Sequence, residues 1–375
     1  MHRLPLFRAA SAAAPLIMLR PIPHSLEGEL SESSRTEDVK FSPSGRLLAA
    51  VTSDGRILLF SVDVRLRPIR VGQHTELRSP SLSGPHGIDF LSEGVVVVAN
   101  RNGGLTFYRV PPSNEWVAHC VVEPIHYSQS VWFGRHGATR KLRERRVMCG
   151  PGSVRFHAET LFVCCNNAST VTTHACQLDQ EAIRVRAGVV VAQDGLQIPD
   201  GVALSRDGRW MAVSDQGHSR VVIYRNDVHS TDCRPLRLRE FLGQVFCLVT
   251  GRALRQLSKT STLRDVDLRY PHGLCFDRTG KVLYVADAGT RYVHVFATSD
   301  AWNADLSTST FKIAAVDADA FAKTHQAVAE AYRALEGGVK GIDVDPTGCV
   351  VATTCRNQVL RFFEVPPEDE REAAA

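Results

Sequence analysis

Pro271-His-Gly-Leu-Cys-Phe-Asp-Arg-Thr-Gly-Lys-Val-Leu-Tyr-Val-Ala-Asp287 is the stretch that decides the fold, because its layout recurs along the chain. Two close copies are Pro199-Asp-Gly-Val-Ala-Leu-Ser-Arg-Asp-Gly-Arg-Trp-Met-Ala-Val-Ser-Asp215 and Val339-Lys-Gly-Ile-Asp-Val-Asp-Pro-Thr-Gly-Cys-Val-Val-Ala-Thr-Thr-Cys355. Looser copies begin at Thr36, Pro85 and Pro151. In each, a short apolar run ends in a polar-Gly turn such as Ser44-Gly45, Asp207-Gly208 or Thr347-Gly348. A run rich in Val, Leu and Ala follows, then a third, alternating run, as in Arg220-Val-Val-Ile-Tyr224 and Tyr292-Val-His-Val-Phe296. β-Branched residues punctuated by turns every 8–12 positions predict antiparallel meanders. Six meanders, none able to bury both faces alone, predict a radial stack: an all-β, six-bladed β-propeller over residues 36–365.

The residue before the repeat's glycine position is Glu37, His86, Gly152, Asp200, His272 and Lys340 in turn, at intervals of 49, 66, 48, 72 and 68. A blade needs about 40–50 residues, so the last two intervals contain insertions. One of them, at 319–336, is alanine-rich, ends at Gly337-Gly338 and spaces Phe321, Val328 and Leu335 by seven. It predicts a short helix before the last blade. Ring closure requires the first and last blades to be bonded together. Within a leader over 1–35, Leu16-Ile-Met-Leu19 is expected to supply the outermost strand of the last blade, and 366–375 is expected to be a disordered tail.

Composition narrows the function. Of 375 residues, 44% are hydrophobic and 22% charged, and the net charge of 44 − 40 = +4 falls short of a dedicated nucleic-acid binder. The densest basic segment, Arg135 to Arg146, lacks the interleaved aromatics that stack on bases, so no nucleic-acid partner is expected. No apolar run of about 18 residues exists, so no membrane span is expected. The ten cysteines form no CxxC pair and sit mostly in apolar runs, which reads as buried thiols in a reducing, cytoplasmic setting. The start of the chain, with Arg3, Arg8 and Arg20 and no acid before Glu27, leaves a mitochondrial transit peptide as the alternative. Asn167-Ala-Ser169 is a glycosylation acceptor only in a secreted protein. Serine-hydrolase elbows, Walker loops and dinucleotide fingerprints are missing from the sequence.

The candidate site is the ring itself. Innermost strands line a propeller's channel, so their first residues converge although they are distant in sequence. Glu37, His86, Asp200 and His272 would offer carboxylate and imidazole donors to one divalent cation: zinc, calcium, manganese or magnesium. Lys340 is a candidate oxyanion stabiliser, and Gly152 leaves a gap. The competing expectation is that each histidine caps its strand and Lys340 pairs with Glu37 or Asp200. Asn100, Asn166, Asp215 and Asp287 end second strands and are expected to bond the next turn's N–H groups.

The Pro-His-Gly-Leu…Tyr-Val-Ala-Asp-Ala-Gly pattern at 271–289 resembles NHL-type repeats, and the Pro-Asp-Gly…Val-Ser-Asp pattern at 199–215 resembles the SMP-30/gluconolactonase propellers. WD40 repeats are less similar, since no blade carries the Trp-Asp ending. The SMP-30 resemblance implies Glu37 as the first-blade metal ligand, Asp200 in a place usually held by Asn, and His272 in one usually held by Asp. Gly152 departs from the third-blade ligand of that group. The NHL resemblance implies an alternative set of His86, His272 and Asp200. The expected function is therefore a binding module that takes a small molecule or protein on its loop face. A metal-dependent lactonase or esterase, or an NHL-type lyase, is the alternative.

Overall fold

The computed structural model describes residues 14–17, 19, 21–23, 35–66, 69–128, 148–179, 182–186, 188–226, 257–332, 336–355 and 360–365. Six sheets follow one another along the chain. Their innermost strands are Thr36–Phe41, Pro85–Ser92, Pro151–His157, Pro199–Leu204, Pro271–Phe276 and Gly341–Val344. Each inner strand packs beside the next, and the sixth returns to the first, so the ring is closed. The architecture is the six-bladed propeller that the repeat predicts.

Strand alternation accounts for the packing. In the second strand of blade one, Leu48 and Ala50 face blade six, whereas Ala49 and Val51 face blade two. The buried apolar residues form six clusters, one in each gap between neighbouring blades. A fully buried Val or Leu contributes about 1.5–3 kcal/mol, and every blade divides its side chains between two such clusters. No blade can therefore bury its apolar faces without both neighbours.

Closure differs from the expectation in detail. Leu16–Ile17 adds a parallel strand to Phe311–Ala314, the outer strand of blade five rather than of the last blade. Ile22 makes the contact with blade six, donating its N–H to the Phe362 carbonyl at 2.8 Å and joining the core between blades six and one. The leader thus bridges two blades: it adds a fifth strand to blade five, and Ile22 bridges to Arg361–Glu364, the third strand of blade six among the described residues. The predicted helix, α1, runs over Ala318–Tyr332, with Phe321 packed against the core between blades five and six.

Leader residues 1–13, the basic segment 135–146, Leu335 and the tail 366–375 lie outside the described residues. Among the described residues the eight cysteines, at 120, 149, 164, 165, 176, 275, 349 and 355, form no disulfide with one another. Among the described residues no helix is long and apolar enough to cross a membrane.

Candidate functional site

Backbone geometry builds the ring. The ladder between first and second strands slips at Thr36/Asp38, Pro85/Gly87, Pro151/Ser153, Pro199/Gly201 and Pro271/Leu274. Such a bulge re-aims the side chain of the extra residue, and the residues at the slips include Glu37, His86, Gly152, Asp200 and His272. Lys340 lies immediately before the sixth inner strand and bonds to the Thr354 carbonyl. The following glycine permits close approach of neighbouring inner strands. A Cβ on Gly201 would stand 1.9 Å from the His272 carbonyl oxygen, and one on Gly273 2.5 Å from that of Lys340.

The predicted residues meet across the channel. His86 and His272, from blades two and five, bring their Nε2 atoms within 3.2 Å. His86 Nε2 lies 3.3 Å from Glu37 Oε2, and His272 Nε2 lies 3.2 Å from Asp200 Oδ2. One donor atom each from Glu37, His86 and His272 falls within 4.8 Å of the others, close enough to share one ion. Asp200 joins this group through His272. All four side chains are buried, at 4% exposure or less.

Hydrogen bonding assigns the imidazole tautomers. His86 Nδ1 is 2.7 Å from the Gly152 carbonyl, and His272 Nδ1 is 3.2 Å from the Lys340 carbonyl. A carbonyl only accepts, so each Nδ1 carries a proton, and in the neutral ring each Nε2 presents a lone pair to the channel. Burial lowers the His272 pKa to about 3 against the pull of Asp200, so this ring is neutral at pH 7. Its Nε2 lone pair then faces Asp200 Oδ2, which is buried without a hydrogen-bond partner.

Cations brace the carboxylates from outside. Glu37 Oε2 accepts from Lys340 Nζ at 2.8 Å, and Oε1 accepts from Arg35 Nε at 2.6 Å. Burial alone would raise the Glu37 pKa, but the cations Lys340 and Arg35 overcome it and hold the carboxyl well below its ordinary value. Asp200 Oδ1 accepts from Arg101 Nη2 at 2.7 Å and from Asn166 Nδ2 at 2.5 Å. Burial raises its pKa too, and the Arg101 guanidinium with the Lys340 ammonium outweighs that, so Asp200 is held ionised. Glu336 bridges Lys340 and Arg35, at 2.9 and 3.1 Å.

Lys340, expected as an oxyanion stabiliser, is instead clamped between two carboxylates, which is the pairing the competing expectation foresaw for it. Asp287 bonds the next turn as expected, accepting from Gly289 N–H, and also accepts from Arg269 and Tyr270 ahead of the inner strand; Asn100 and Asp215 instead accept from Ser83 and Gln197, in the segment ahead of their own blade's inner strand. Asn166 departs from that role, because its amide turns inward to Asp200. Arg35, Arg101 and Glu336 were not among the sequence candidates. Arg35 and Glu336 lie shortly before the ring positions Glu37 and Lys340, and Arg101 follows the second strand of blade two, Val95–Asn100, where the alignment of copies carries no signal.

Three residues further down the inner strands a second charged tier spans the channel. Lys40 Nζ pairs with Asp343 Oδ1 at 2.8 Å, and Arg155 Nη1 reaches Asp38 Oδ2 at 3.1 Å. Asp89 accepts N–H bonds from Phe90 and Phe156, and Asp343 accepts one from Phe41. These carboxylates satisfy inner-strand N–H groups that have no neighbouring strand.

Fold and site define a six-bladed propeller with a buried polar ring at one mouth of its channel. The WD40 family (WD domain, G-beta repeat) matches residues 24–61, a span that includes the first two strands of blade one. No curated protein matches the sequence. Among solved structures, a putative 6-phosphogluconolactonase from Bacteroides uniformis ATCC 8492 is similar at 12% identity and a TM-score of 0.53, covering 88% of this chain and 81% of that one. A luciferin-regenerating enzyme is similar at 13% identity and a TM-score of 0.52, covering 91% of this chain and 94% of that one. At these identities the likeness is one of fold.

Proposed function

We propose that the protein is a propeller binding module that holds one divalent cation at its channel mouth and engages a small molecule or protein partner there. One observation carries this reading: Glu37 Oε2, His86 Nε2, His272 Nε2 and Asp200 Oδ2 converge as lone-pair atoms. With His272 Nδ1 protonated and the ring neutral, its Nε2 turns an acceptor toward the Asp200 Oδ2 acceptor, an arrangement that a cation relieves. Two imidazoles with carboxylates suit a first-row divalent ion. Glu37, His86, His272 and Asp200 would hold it. Arg35 and Arg101, partly exposed above them, would meet an incoming anionic or hydroxyl group.

A hydrolytic use of the same ion is the second reading, favoured by the Arg101 Nε, which is buried without a partner beside Asp200 and free to donate to a developing oxyanion. When bound, such an ion lowers the pKa of a water ligand toward neutrality. The deep burial of all four donors favours the binding reading.

Elemental analysis of the purified chain, before and after chelation and reloading with millimolar Zn, Mn, Ca or Mg, tests the cation. About one equivalent is expected in the wild type and little in the Asp200→Ala/His272→Ala variant. A wild type that takes up no ion sinks both readings of the metal. Lactone and ester turnover by the loaded protein, lost on chelation, would replace the binding reading with the hydrolytic one.

A further inference from the structure

The third blade contributes no side chain from its ring position, since that position is Gly152. The space is nonetheless filled. A Cβ built on Gly152 would lie 1.8 Å from Asn166 Oδ1 and 2.7 Å from its Cγ. Asn166 follows the second strand of the same blade, Thr160–Cys165, and opens the short turn Asn166–Ala168. Its amide therefore reaches the channel from one strand further out and takes the volume that a ring side chain would use.

We propose that Asn166 is the third blade's donor to the cation, with Gly152 kept bare to admit it; this rests on the cation reading above. Two features aim the amide. Asn166 Nδ2 donates to Asp200 Oδ1 at 2.5 Å, which fixes the rotation of the amide plane. Asn166 Oδ1 is then buried with no hydrogen-bond partner, as is the neighbouring Asp200 Oδ2. A buried amide oxygen left unpaired is unfavourable, and two orphaned oxygens tied to one carboxylate mark a place where a cation gains both. Arg101 Nη2 occupies the same Asp200 Oδ1 at 2.7 Å, which leaves Oδ2 as that carboxylate's coordinating atom.

The donor set selects the ion. Asn166 adds a neutral oxygen to the Glu37 and Asp200 carboxylates and to two imidazoles, giving three oxygens and two nitrogens. Four-coordinate zinc does not need five protein donors. Calcium and magnesium prefer sites made of oxygen alone, and imidazole suits later first-row ions. Manganese(II) accepts both donor types at higher coordination number.

The full chain, stripped with chelator, is titrated with Mn2+ and, as a spectroscopic probe, with Co2+. Asn166→Ala is expected to weaken Mn2+ binding about 10–100-fold and to intensify the visible Co2+ bands as coordination number falls. Gly152→Ala, whose methyl displaces the amide, is expected to reproduce both changes. Wild-type binding that Asn166→Ala leaves equal, or weakens with an unchanged Co2+ spectrum, overturns the assignment of Asn166 as a ligand while leaving the cation reading intact. A wild type that binds neither ion overturns the five-donor assignment, and one that takes up none of Zn, Mn, Ca or Mg overturns the cation reading itself.

Discussion

Replacing Lys340 with methionine isolates the electrostatics of the ring. The ammonium sits 2.8 Å from Glu37 Oε2, and the Glu37 side chain is 1% exposed. Removing one partner of a buried ion pair costs about 3–5 kcal/mol, because the other charge is left without compensation. Arg35 still reaches Glu37 Oε1 at 2.6 Å, so the lower end, about 3 kcal/mol, is the expected loss at pH 7. Urea denaturation of the chelator-treated protein measures it. Two companion results separate this cause from lost packing. Glu37→Gln added to Lys340→Met removes the stranded charge, so the double variant should be more stable than Lys340→Met alone. Without Lys340, burial has less opposing it and the Glu37 pKa rises. The carboxyl then protonates as pH falls, so the gap to wild type should narrow toward pH 5. A loss under 0.5 kcal/mol, or a double variant no more stable than the single one, refutes the reasoning.

Other consequences follow from the same geometry. Gly201→Ala, with its Cβ 1.9 Å from the His272 carbonyl oxygen, should drive blades four and five apart and cost about 3 kcal/mol or more, whereas Gly94→Ala, with open space around it, should stay within about 0.5 kcal/mol; equal melting of the two variants would contradict the close-approach account. Ile22→Ala should lower stability by about 2 kcal/mol, since Ile22 is buried between blades six and one; an unchanged denaturation midpoint would remove it from ring closure. The Asp89 carboxyl should titrate near pH 6, because burial raises its pKa against Arg155 and Lys40. The folded pKa exceeds the unfolded one, so the stability it contributes is complete below about pH 4 and is lost as pH rises through about 6. Carboxyl 13C NMR that places its midpoint at or below 4 contradicts that environment.

The blades were legible in the sequence because each copy repeats one register. Val282 to Asp287 and Trp210 to Asp215 keep the same alternation after the same Gly turn, and local periodicity is enough to specify a strand and its two faces. The same alignment led to Glu37, His86, Asp200, His272 and Lys340, since equivalent positions in a closed radial stack must converge. Their convergence needed no knowledge of any particular contact.

Other features carry no such periodic signal. The parallel pairing of Leu16 with Lys312 and the bond from Ile22 to Phe362 join residues 296 and 340 positions apart, and nothing local distinguishes blade five from blade six as their partner. Arg35 and Glu336 precede ring positions and Arg101 follows a second strand, and only folding brings Arg35 onto Glu37, Arg101 onto Asp200 and Glu336 onto Arg35 and Lys340. Asn166 looked like Asn100 by position, yet one amide bonds its own turn and the other enters the channel. The difference is Gly152. Whether the space beside a bare glycine stays empty, or is filled from the next strand, is a property of volumes in three dimensions. Residue order determined the blades and the ring positions, while packing across the channel decided which atoms fill them.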